Sequence, residues 1–200
     1  GIESNFPKEF QTRETADLFL VLIMRLLKKH GRAGMVLPDG TLFGEGMKTT
    51  LKKQLLEECN LHTIVRLPKS VFAPYTSIAT NLLFFTKGEP TKEIWYYEHP
   101  LPEGQKAYSM TNPIKFDEFE KEIKWWNNRE ENDQAWKVSI DEIIKRNYNL
   151  DIKNPRTPVD ILESPEELLE IYHNKQQEVK KVLEQIRTVI TEALSHHDTK

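Results

Sequence analysis

The run Gly31-Arg32-Ala33-Gly34-Met35-Val36-Leu37-Pro38-Asp39-Gly40-Thr41-Leu42-Phe43 constrains the fold more than any other segment of this chain. A short apolar stretch, 33–37, meets a proline and opens on a Pro-Asp-Gly turn, as a buried strand ending in a loop does. The spacing predicts an amphipathic helix before it, over 14–29, with Phe19, Leu22, Ile23, Leu26 and Leu27 facing inward. It predicts another after it, over 47–60, with Leu51, Leu55 and Leu56 inward. Helix, strand, helix is the middle of an α/β sheet, not its beginning. The first helix starts near Glu14 with no strand ahead of it and no initiator methionine, so the expectation is the second half of something larger.

Strands are expected over 62–67 and 78–86, joined by a loop over 68–77 that is too short for a crossover helix. The fold class is therefore α/β, with parallel strands followed by an antiparallel return, and 94–98 can add an edge strand. Beyond His99 the residues Pro100, Pro102, Gly104, Asn112 and Pro113 mark a connector. Two short helices are expected within it, one over 116–126 and one capped by Ser139 with Glu142 in the capping-box position. Ser164-Pro165-Glu166-Glu167 starts a last helix, running to about residue 194 and ~45 Å long at 1.5 Å per residue. Its residues Leu168, Tyr172, Val179, Val182, Ile186, Val189 and Ala193 follow a four–three spacing broken by Lys175. A core this small cannot cover such a helix, so packing on another long helix is expected ahead of folding back. The division is 1–99 for the sheet domain, 100–163 for the connector and 164–200 for the long helix.

Charge narrows the functions. The net charge is −3 with both signs mixed, so this chain does not grip a phosphate backbone by itself. The single cysteine, Cys59, excludes an internal disulfide and argues against a cysteine-rich metal site. The longest apolar stretch, 16–27, carries Asp17 and Arg25 and is too short to span a bilayer. With no basic, apolar leader, the expected location is cytoplasmic.

Gly44-Glu45-Gly46-Met47-Lys48-Thr49 resembles a phosphate loop, but Met47 stands where that loop needs glycine, so a flexible loop over the sheet edge is preferred. Asp39 lies just past a strand's carboxyl end, where open α/β sheets bind ligands, although capping its own turn is the simpler role. The histidines show no metal-ligand spacing, and no Ser/His/Asp or Cys/His set can be assembled. In the loop Val71-Phe72-Ala73-Pro74-Tyr75-Thr76-Ser77 the two aromatics can stack on a ring, or Phe72 can close the core while Tyr75 packs on the connector. Trp125, Trp126 and Trp136 flank an acidic loop and are expected in interdomain packing.

Asn5-Phe6-Pro7, 13–19, 31–40, Thr80-Asn81-Leu82-Leu83-Phe84-Phe85-Thr86 and Asn147-Tyr148-Asn149-Leu150-Asp151 together resemble one family, the modification subunit of type I restriction–modification systems. These are N-6 adenine DNA methyltransferases. The resemblance runs from about Asn5 to about Pro155. It implies the C-terminal half of a Rossmann-like sheet that uses S-adenosylmethionine and ends in an antiparallel hairpin, followed by a helical extension. It implies a specificity subunit that reads DNA, a restriction subunit, and a long C-terminal helix suited to docking. The family's F-x-G-x-G cofactor turn and its catalytic Asn-Pro-Pro-Phe are absent from this sequence. Only Phe72 matches an expected base-stacking position, no catalytic or cofactor-binding residue carries over, and the chain alone is expected to be inactive. The alternatives are a non-catalytic scaffold on the same frame, and an unrelated nucleotide-binding protein that depends on Lys48.

Overall fold

The structure, a computed structural model, describes residues 1–157 and 165–197. The chain divides into two compact units, 1–157 and 158–200.

In the first unit, two single turns of 3₁₀ helix (Ile2–Asn5, Lys8–Phe10) lead into α1 (Thr15–Leu26) and β1 (Arg32–Pro38). Then come α2 (Asp39–Phe43), α3 (Met47–Glu58), β2 (Cys59–Arg66), β3 (Thr80–Lys87) and β4 (Glu93–Glu98). A 3₁₀ turn (Phe116–Phe119) feeds α4 (Glu120–Asn127), followed by β5 (Ala135–Ser139) and α5 (Ile140–Lys145).

The five strands form one sheet in the order β1-β3-β2-β4-β5. The antiparallel return is present, but it does not follow a parallel pair. β3 inserts between β1 and β2 and pairs antiparallel with both, from Arg32↔Thr86 to Pro38↔Thr80 and from Cys59↔Lys87 to Arg66↔Asn81. β1 and β2 thus run the same way without touching, and the parallel pair is β2 with β4. β4 is not an edge, because β5 pairs antiparallel on its far side. β5 escapes a periodicity reading because it is five residues long. Its alternation is nevertheless real: Trp136 and Val138 are buried on one face and Ala135 on the other.

One face of the sheet carries the main core, where Leu37, Leu61, Ile64, Leu83, Phe85, Ile94 and Tyr96 meet α1, α3 and α5. Leu51, Leu55 and Leu56 face inward as their spacing predicts. The α1 prediction is rotated. Leu18, Leu20, Val21 and Met24 are buried, whereas Phe19, Leu22 and Leu26 are exposed. Both stripes are apolar, so period alone could not choose between them.

The second face carries a smaller cluster of Val65, Leu67, Tyr97, Trp125 and Ala135, with Phe84, Trp95 and Trp126 against it. Gly34 lies close under the Phe84 ring here, where a Cβ would stand 3.2 Å from it and the ring would have to shift by a few tenths of an ångström. Trp125 and Trp136 are buried within this unit, and Trp136 stacks on Tyr96 at 5.4 Å, so they build the sheet's two faces rather than an interdomain contact. Arg129 lies over the rings of Trp126 and Trp125, 4.5 and 5.5 Å away. A cavity of about 480 Å³ opens between this face and α4, walled by Leu82, Phe84, Phe116, Ile123 and Trp126.

Ser139 caps α5 by accepting from the Glu142 N–H at 3.4 Å. In the second unit α6 (Pro165–His197) is 33 residues, ~50 Å at 1.5 Å per residue. Leu169, Tyr172, Val179, Val182, Leu183 and Ile186 on it are exposed. Ser164, the expected N-cap, lies outside the described residues, as do the side chains of Leu168, Val189 and Ala193. No described helix is long and apolar enough to cross a membrane.

Candidate functional site

Strand direction decides where polar groups gather. β1, β2 and β4 end at the same edge at which the antiparallel β3 begins. Asp39, Arg66, Asn81 and His99 therefore come together from four separate places in the sequence.

Asn81 donates to Asp39 Oδ1 at 2.6 Å, and the Arg66 guanidinium stands 3.9 Å from that oxygen. Arg66 also pairs with Asp151 at 2.7 Å and donates to the Ile152 carbonyl at 3.3 Å. Burial works to raise the Asp151 carboxyl, but its bond to Arg66 and the charges of Arg66 and Lys153 outweigh that and hold it below the usual range. Asp39 therefore does not cap its own turn. Its backbone N–H donates to Ala79, and its carboxylate ties β1 to β2 and β3. Asn81 is fully buried and its Oδ1 has no hydrogen-bond partner in the structure. Arg66, Asn81 and Asp151 are the residues that sequence reasoning did not single out. The available signal was the pair of blocks around Asn81 and Asp151, but their partners are 42 and 85 positions away.

The loop from Pro68 to Ser77 rises from this edge between β2 and β3. It is built from tight turns: Val71 N donates to Pro68 O at 3.2 Å, Ala73 N to Ser70 O at 3.0 Å, and Tyr75 N to Phe72 O at 2.9 Å. The Ala73–Pro74 peptide is cis. Val71 anchors the loop to the smaller cluster, while Phe72 is 40% exposed and Tyr75 87% exposed. Tyr75 does not pack on the connector, and Phe72 belongs to neither core cluster.

Behind the loop lies a buried polar set. His99, at the end of β4, directs Nδ1 at Glu122 of α4, and its ring stacks on Phe119 with centroids 4.6 Å apart. The Tyr108 hydroxyl donates to Glu118 at 2.6 Å and lies 3.3 Å from His99 Nε2. Burial first, and then the bond to Glu118, push the Tyr108 phenol up, so it stays protonated and remains a donor. Tyr108 N donates to Ser70 Oγ at 2.9 Å, joining this set to the aromatic loop.

The segment 44–49 is not a phosphate cradle. Lys48 pairs with the fully buried Asp17 at 3.1 Å, and Asp17 also accepts from Thr41 at 3.0 Å. Gly46 takes φ +66, which favours glycine, and its carbonyl already receives Thr49 N and Thr50 N. Nor is the segment a loose flap. Lys52, 1% exposed, donates to the carbonyls of Leu42 and Gly44 at 2.6 and 2.8 Å. Burial, and then the charge of Lys48, lower its amine to about 8 against the partial opposition of Asp17 and Glu45. Among the described residues no group of His, Cys, Asp and Glu could hold a metal ion.

A family model described as N-6 DNA Methylase matches residues 3–164. The chain is 61% identical over 202 residues to the type I restriction enzyme EcoEI methylase subunit of Escherichia coli, covering 98% of this chain and 41% of that protein. It is 38% identical over 89 residues to the EcoKI methylase subunit of Escherichia coli K12, covering 40% of this chain and 17% of that one. Among solved structures it resembles a modification subunit ascribed to a type I restriction enzyme of Vibrio vulnificus YJ016, at 51% identity and a TM-score of 0.74. That likeness covers 78% of this chain and 35% of the other. A chain from a study of complex assembly in the type I R-M system matches at 39% identity and TM-score 0.74, covering 96% of this chain and 42% of that one. The chain thus spans at most about two fifths of these relatives' length.

Proposed function

This chain belongs to the N-6 DNA methylase family, and we propose that it is the C-terminal portion of the methylase subunit of a type I restriction–modification system. The whole protein would transfer a methyl group from S-adenosylmethionine to the N-6 amino group of adenine in DNA. The observation that carries this reading is the 61% identity to one such subunit across nearly the entire chain.

The fold supports a Rossmann-like origin for the sheet. β1 and β2 run the same way on either side of an inserted antiparallel β3, with α3 on the connection between them. β1 is the outer strand of the described sheet and carries no charge beyond Arg32, so its free edge suits a further strand of the same domain. We assign 1–99 to the second half of the methyltransferase domain, 100–163 to the connector and 164–200 to a docking helix. The exposed apolar stripe on α6 suits a helix of another subunit. DNA would be reached through a specificity subunit, with a restriction subunit completing the assembly, in the cytoplasm. The negative net charge favours delegating DNA grip to such partners.

S-adenosylmethionine would supply the electrophilic methyl group. What this chain would contribute is the Phe72 loop. An aromatic held half-exposed at the carboxyl edge of the sheet suits stacking on a base taken out of the duplex. In the full assembly, Phe72→Ala is expected to slow methylation about tenfold or more, since one stacking contact is worth ~1–3 kcal/mol, with DNA affinity nearly intact. Unchanged single-turnover rates would return Phe72 to a structural role.

A further inference from the structure

We infer that Ser70 is a positioning residue for Phe72, held in place by the buried Tyr108–His99–Glu122–Glu118 set; this rests on the reading of Phe72 as the stacking side chain. Ser70 is bonded twice. Its hydroxyl accepts from Tyr108 N at 2.9 Å, and its carbonyl accepts from Ala73 N at 3.0 Å. Phe72 lies between Ser70 and Ala73 along the chain, and its own carbonyl accepts from Tyr75 N and Thr76 N. The hydroxyl therefore fixes one end of a turn whose outer residue is the aromatic.

Tyr108 can perform this task because it is itself immobilised. It is 3% exposed, and its hydroxyl is held by Glu118 with His99 beside it. His99 is clamped by Glu122 through Nδ1, by Phe119 through its ring, and by its backbone N–H to Arg66 O at 2.9 Å. That last bond reaches the end of β2, the strand from which the loop departs. The loop is thus tied to the sheet directly at Arg66 and indirectly through the connector at Ser70. Apolar residues could hold this stretch down at lower desolvation cost than a buried histidine and the buried Glu122 carboxylate. What a fully bonded polar set adds is a single orientation. Residues 99–115 around Tyr108 form no helix or strand, and the loop meets them through one side-chain hydrogen bond, in which Tyr108 N donates to Ser70 Oγ.

The test uses the full methylase subunit in its DNA-bound assembly, with DNA carrying 2-aminopurine at the target adenine to report base extrusion. Ser70→Ala removes only the hydroxyl and leaves the buried set intact. The expected result is a fall in kcat of about tenfold, since small misplacements of a reacting group are costly, with DNA Kd and the KM for S-adenosylmethionine unchanged within about twofold. The 2-aminopurine signal should fall with it, and Ser70→Thr, which keeps a hydroxyl, should restore most of the rate. If Ser70→Ala turns over normally while Phe72→Ala is slow, the positioning role is overturned and the Phe72 reading survives. If both variants turn over normally, the Phe72 reading fails and this inference goes with it. An equal loss of stability, DNA affinity and rate would make Ser70 merely structural and would also overturn it.

Discussion

His62 shows how one residue's environment can dominate its chemistry. A register shift in β2 between Leu61 and Thr63 falls at this residue, whose ring meets Trp126 edge-on with centroids 5.7 Å apart. Burial, and then the neighbouring charge of Arg129, lower the imidazole to about 4 from an ordinary 6.5. The sign follows from proton uptake. Between pH 6.5 and 4 the unfolded chain binds a proton that the folded chain refuses, so stability is complete above pH 6.5 and is lost as pH falls toward 4. Urea unfolding at pH 7 and pH 5 should show His62→Gln losing ~2 kcal/mol less than the parent over that interval. Lys52 is a second buried titratable group, but its amine is spent on two carbonyls that would otherwise leave the β1 loop untied. Neither residue stands in a recognisable motif, because the groups that define its setting come from other elements.

At the scale of elements, α1 is the instructive case. It offers two apolar stripes, and the sheet takes the one carrying Leu20, Val21 and Met24. Leu20→Ala should cost ~2–5 kcal/mol, as a cavity in a closed core does, whereas Phe19→Ala should stay within about 0.5 kcal/mol in this 200-residue chain. The reverse order in thermal or urea melts would show the helix turned the other way. The exposed stripe borders a small apolar recess lined by Ile2, Phe6, Leu18, Phe19 and Leu22. β3 carries the other lesson. A loop too short for a helix was enough to require its antiparallel direction, but not to say which neighbour it would join. Insertion between β1 and β2 gives it hydrogen-bonding partners on both edges.

For the molecule as a whole, the F-x-G-x-G turn that the family resemblance assigns to the cofactor is absent from this sequence. Titration of S-adenosylmethionine into the 200-residue chain, followed calorimetrically, should therefore give no binding at micromolar concentration. Heat saturating in that range would mean that this half carries a cofactor site after all.

The sequence by itself determined the elements whose evidence is local. Leu51, Leu55 and Leu56 at helical spacing, the apolar run ending at Pro38, the Ser139 cap and the ordered blocks shared with one family could all be read from neighbouring residues. The fold class, the antiparallel return and the family followed from them. Only the tertiary structure decided strand order, the buried face of α1, the place of β5, and the meeting of Asp39, Arg66, Asn81 and Asp151. The same holds for the link from His99 through Tyr108 to Ser70. The physical reason is the range of the interactions. Hydrophobic period and turn chemistry act over a few residues, whereas hydrogen bonds and ion pairs across a sheet edge join positions many tens of residues apart, where only the completed packing brings donor and acceptor within 3 Å.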